Sequence, residues 1–111
     1  MIEERTFVYA IGSEDGPVKV GITNNLFSRL RSLQNGSATK LELIWVCTAH
    51  NRQEAIDQER WFHTSHVGCR LEGEWFNITA EEAVESLDDQ LGLAYGPFAK
   101  EFYARRNRSV A

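Results

Sequence analysis

The chain has 111 residues and a formal net charge of −4. That length suits one compact domain with a thin core, and no apolar run is long enough for a membrane span. The acidic excess argues against a broadly basic nucleic-acid-binding surface, but the charge is segregated: Glu81, Glu82, Glu85, Asp88 and Asp89 concentrate acid late in the chain, whereas Lys19, Arg29 and Arg31 form an early basic group and Arg105, Arg106 and Arg108 a basic tail.

In chain order, Thr6 to Ile11 is β-branched and aromatic and reads as a strand. Gly12 to Pro17 is a turn cluster. Val18 to Thr23 is a second strand, closing a hairpin. A helix follows, with Asn24 as its cap, Asn35-Gly36 as its end, and Leu26, Phe27, Leu30 and Leu33 as its apolar face. Arg29 flanks that face, where its stem is covered and its guanidinium free. Leu41 to Ala49 is apolar enough for a central strand.

Asn51-Arg52-Gln53-Glu54 is a capping box opening a helix that runs to about His66. Its wheel puts Ala55, Ile56 and Phe62 on one side, together with Glu59, His63 and His66. Glu74 to Ile78 is a short extended piece. Thr79 to Glu82 is a second capping box, leading an amphipathic helix with Ala83, Leu87 and Leu91. A last helix is expected over 95–105. The domain is expected to occupy 1–94, with 95–111 as a C-terminal helix and basic tail. The fold class implied is α+β, a hairpin and third strand in a central sheet flanked by helices.

Three polar residues stand where a bland fold does not need them. If Tyr9 and Lys19 pair across the hairpin, they share a sheet face, and Gly21 on that face leaves room for a ligand to approach the backbone. Taken alone, Tyr9 reads first as a strand tyrosine with a solvated hydroxyl, and Lys19 as an edge charge that blocks aggregation. Glu59 is a carboxylate on the apolar side of a helix, which is costly unless it is paired or bound to metal; the plain alternative is a salt bridge to Arg29 or Arg52. His63, His66 and Cys69, with Cys47, have the chemistry for zinc but not a standard spacing, so helix-end histidines and a small buried cysteine are the preferred reading. Trp45, Trp61, Trp75 and Phe76 are either base-stacking platforms or, for most of them, core. With two cysteines there is no disulfide framework, and a cytoplasmic location is expected.

The order of Phe7-Val8-Tyr9, Lys19-Val20-Gly21, the run from Gly21 to Arg29, Glu59 and Asn77 resembles the GIY-YIG nuclease superfamily over roughly residues 6 to 78. Phe7 and Lys19 depart from its motifs, with lysine in place of the second motif's tyrosine; Leu33 stands where some members have histidine, a gap that His63 is placed to fill. The resemblance implies a metal-dependent endonuclease, acting on DNA more readily than RNA, with no membrane partner. Tyr9 is then the base, Lys19 its tuning cation, Arg29 the phosphate clamp, Glu59 the ligand of one Mg²⁺ or Mn²⁺, and Asn77 an orienting group, while Gly21 and Arg31 contact substrate. A homodimer or a separate partner is the expected source of specificity. The alternatives are a non-cutting nucleic-acid-binding module of the same fold, and a protein-interaction domain built on the acidic helix.

Overall fold

The computed structural model describes residues 5–91; the helix expected over 95–105 and the basic tail lie outside them. The chain is α+β. Strands β1 (Thr6–Gly12), β2 (Val18–Thr23), β3 (Glu42–Ala49) and β4 (Trp75–Phe76) form one antiparallel sheet in the order β3-β1-β2-β4. Helices α1 (Leu26–Asn35), α2 (Arg52–Ser65) and α3 (Ala80–Leu91) complete the fold.

The pleat sorts side chains between two cores. Val8, Ala10, Val18 and Val20 point to the larger one, shared with Ala55 and Phe62 of α2 and Ala83, Val84 and Leu87 of α3. Tyr9 and Ile11 point to the other, where Leu26, Leu30 and Leu33 of α1 cover them. The third strand is an edge strand, not a central one. Its apolar run comes from a bulge opposite Ala10 and Ile11, which puts both Ile44 and Trp45 into the larger core. Trp45 is fully buried and donates its indole N–H to Asp88 (3.1 Å), so it is core and no stacking platform.

The caps hold, with one shift. Asn25, not Asn24, accepts from the Ser28 amide (3.0 Å) and starts α1; Gly36 ends it as expected. The leucines of α1 lie within one narrow stripe, while Phe27 falls about 100° from it and is 83% exposed, so it is not part of the apolar face. Asn51 caps α2 through the Glu54 amide (2.8 Å). Thr79 and Glu82 exchange reciprocal bonds (both 3.1 Å) and start α3. Gly16, at φ 80°, packs so closely on Ile78 that no side chain fits, which ties the β1–β2 turn to the start of α3.

Candidate functional site

Within the hairpin, Tyr9 pairs with Gly21 and Ile11 with Lys19. Tyr9 and Lys19 are therefore not directly opposed, yet they share a face because they are offset by two residues. The space expected for a ligand at Gly21 is taken by Tyr9 itself: a Cβ there would lie 2.7 Å from the Tyr9 hydroxyl. Tyr9 is 1% exposed.

On β2, β4 pairs with Val18 and Lys19. Beyond its end, two other groups take the backbone of Val20. The Val20 amide donates to the Glu74 carbonyl (3.2 Å), and its carbonyl lies 2.9 Å from His63 Nε2. A carbonyl only accepts, so Nε2 carries the proton and Nδ1 of the neutral ring keeps the lone pair. His63 also packs edge-on against Phe76. Glu59 lies one helical turn before His63, so both reach this edge from α2.

Glu74 is the residue that motif reasoning missed. It forms a salt bridge with Lys19 (3.2 Å) and hydrogen-bonds with the Glu59 carboxyl. The signal was present in the sequence: an acid directly before the extended Trp75-Phe76 pair, with no helix to carry it. Glu59 therefore partners neither Arg29 nor Arg52 in a direct salt bridge; its close partner is another carboxyl. Burial first, then the hydrogen bond and the charge of Glu74, push its pKa up to about 7, while Lys19 and Arg52 pull it down. For Glu74, burial acts upward but is outweighed by the Glu59 hydrogen bond and by Lys19, so its pKa is lowered. The hydrogen bond between them thus moves the two acids in opposite directions.

Tyr9 feels this pair. Burial pushes its pKa up to about 12; Arg29 acts downward, and Glu74 and Glu59 act upward. The expected tuning by Lys19 is thus corrected: its ammonium is engaged by Glu74 and lies 5.7 Å over the Trp75 ring, and the cation facing Tyr9 is Arg29. Arg31 lies about 160° round α1 from Arg29, on the solvent side, and is exposed. Asn77 is exposed just past β4, where its amide donates to Cys69 O (2.7 Å).

The donor chemistry fits a divalent cation. One ligand atom from each of Glu59, His63 and Glu74 lies within 4.8 Å of the others, and all three residues are half-buried. The zinc set considered around Cys69 is not assembled: His66 stacks on Phe62 (4.0 Å), its Nδ1 lies 3.0 Å from Phe62 O, and its Nε2 lies 3.1 Å from Ser86 Oγ. Cys47 is a half-buried free thiol, pushed up to about 11 by burial.

The T5orf172 domain family matches residues 6–90. The chain belongs to that family. The match spans every strand and nearly all of α3. It corrects the resemblance to the GIY-YIG superfamily, from which the T5orf172 domain is distinct; apart from the run from Gly21 to Arg29, the motifs behind that resemblance are three residues or fewer, and two of them already departed from the pattern at Phe7 and Lys19. The T5orf172 domain is nuclease-like and DNA-binding in character, which is compatible with a nucleic-acid-related function for this chain. No curated protein and no solved structure matches it. Among the described residues, no helix is long and apolar enough to cross a membrane.

Proposed function

We propose that this T5orf172 domain hydrolyses phosphodiester bonds in nucleic acid, DNA before RNA, with Glu59 holding one Mg²⁺ or Mn²⁺. The observation that carries the reading is the meeting of Glu59, His63 and Glu74 beside Tyr9, along the edge of β2 where His63 takes the Val20 carbonyl. Acids crowded at half-buried positions destabilise a fold unless a cation or a reaction uses them.

The roles follow from chemistry. Arg29 is exposed on the flank of α1 and close enough to Tyr9 to act on its charge, so its planar fork is positioned to hold a phosphate and to stabilise charge growing on it. As the phenolate, which Arg29 favours, Tyr9 takes the proton of the attacking water while the water oxygen bonds to phosphorus and the phosphorus–oxygen bond to the leaving group breaks. The divalent ion, when bound, supplies positive charge for the leaving oxygen. Lys19 limits the repulsion between Glu59 and Glu74.

Incubation with supercoiled plasmid, linear duplex and structured RNA, in Mg²⁺, Mn²⁺ or EDTA, tests the reading. Metal-dependent conversion of plasmid to nicked or linear product is expected, and its loss in Glu59→Gln. Binding of DNA with no cutting under any metal would overturn the enzyme and leave a binding module.

A further inference from the structure

We propose that Glu59, Glu74 and His63 together form a three-donor site for one divalent cation, Mn²⁺ before Mg²⁺, in which the incoming ion takes the place that Lys19 holds at Glu74. This rests on the nuclease reading only for what the ion does; the site itself stands on the donor geometry.

Three observations converge. The first is spacing. Donor atoms around an ion of this size lie about 3–4 Å from one another, and these three lie within 4.8 Å, so small side-chain rotations close the set. The second is the histidine. Its Nε2–H is fixed on the Val20 carbonyl (2.9 Å), the kind of second bond that orients a metal-ligating imidazole and sets its tautomer. That leaves Nδ1 as the ligating nitrogen. The third is Lys19, whose ammonium sits 3.2 Å from Glu74 with its side chain only 12% exposed, so a cation already occupies the anionic side of the cluster. An arriving ion repels that ammonium. Lys19 then has to leave Glu74, and a nearby phosphate is the partner its charge favours.

Ion choice follows from the donors. Mg²⁺ is usually held by carboxylates, phosphates and water, whereas imidazole suits later first-row ions. Two carboxylates and one imidazole therefore rank Mn²⁺ ahead of Mg²⁺. The two helix ligands are one turn apart on α2, and Glu74 is held by its main-chain bond to Val20, so the set is anchored before an ion arrives.

Titration calorimetry with MnCl₂ in the absence of nucleic acid tests the site directly. One Mn²⁺ per chain is expected. Glu74→Gln should weaken it at least about tenfold, the lower end of what losing even an outer-shell group costs. Lys19→Met should tighten it, because a competing cation is gone. Spin-echo spectroscopy of the Mn²⁺-loaded wild type should show coupling to a directly bound ¹⁴N that is absent in His63→Gln; this readout needs no cleavage and exposes a folding failure as loss of all bound Mn²⁺. Wild-type affinity in Glu74→Gln, or no ¹⁴N coupling in wild type, would overturn the three-donor site while a Glu59-dependent nuclease survives. Three-donor binding without cleavage of any nucleic acid would leave the site standing and sink the nuclease.

Discussion

Lys19 and Glu74 meet side chain to side chain just before β4, next to the main-chain bond from the Val20 amide to the Glu74 carbonyl. Their salt bridge is 3.2 Å long. Because Lys19 is engaged there, Tyr9 is left to Arg29, and this reassignment shapes the expected pH behaviour.

With its pKa pushed up to about 12 by burial, Tyr9 is almost wholly protonated at neutral pH. If it is the base, the cleavage rate should climb with pH well past 8, and Tyr9→Phe should remove cleavage while DNA binding persists. Arg29→Met should move the rising limb to higher pH, because the phenolate loses the cation facing it. Lys19→Met should move it far less. Initial rates from about pH 6 to 10, a window on the rising limb below the tyrosine pKa, check this; a Tyr9→Phe enzyme that still cuts removes Tyr9 from the chemistry.

Arg29→Lys keeps the charge but loses the fork. Cleavage should fall on the order of 10²-fold, as for other lost transition-state contacts. An unchanged rate would return Arg29 to the ordinary helix surface.

Glu59 makes a stability prediction whose sign is unusual for an acid. Its folded pKa of about 7 lies above its ordinary value of 4.5. The stabilising form is the protonated one, present in full below about pH 4.5 and lost as pH rises through about 7. In EDTA, Glu59→Gln should therefore melt higher than wild type at pH 8, and the difference should shrink towards pH 5. Saturating Mn²⁺ should reverse the order at pH 8, because wild type gains more from binding than a variant that lacks one donor. Thermal melts over pH 5–8, with and without Mn²⁺, decide the matter, and a Glu59→Gln curve parallel to wild type at every pH would refute the raised pKa.

Gly21→Ala puts a Cβ 2.7 Å from the Tyr9 hydroxyl and 2.9 Å from its ring. Overpacking of this kind costs about 1–3 kcal/mol, and displacement of the hydroxyl should also depress cleavage. Adding Tyr9→Phe should recover part of the stability, since the closest clash is with the oxygen. Strict additivity in the double mutant would show that the two side chains do not meet.

The sequence by itself determined the local structure. Hydrophobic period, capping boxes and turn clusters marked the hairpin, α2 and α3, because those signals act within a few residues of their cause. It also picked out Tyr9, Lys19, Arg29, Glu59 and His63, since polar groups on apolar faces are visible on a wheel or a pleat. Short motifs were a poorer guide to family, and the whole-domain match replaced the GIY-YIG resemblance.

Only the tertiary structure decided who meets whom. The hairpin register set Tyr9 against Gly21 rather than Lys19. The strand order put β3 at the sheet edge, and a bulge let its adjacent Ile44 and Trp45 both be buried. The two-residue length of β4 left the Val20 carbonyl to His63 and brought Glu74 to Glu59. These are contacts between segments far apart in the chain, set by which backbone groups remain unpaired once the sheet has formed, and no local pattern of residues encodes that remainder.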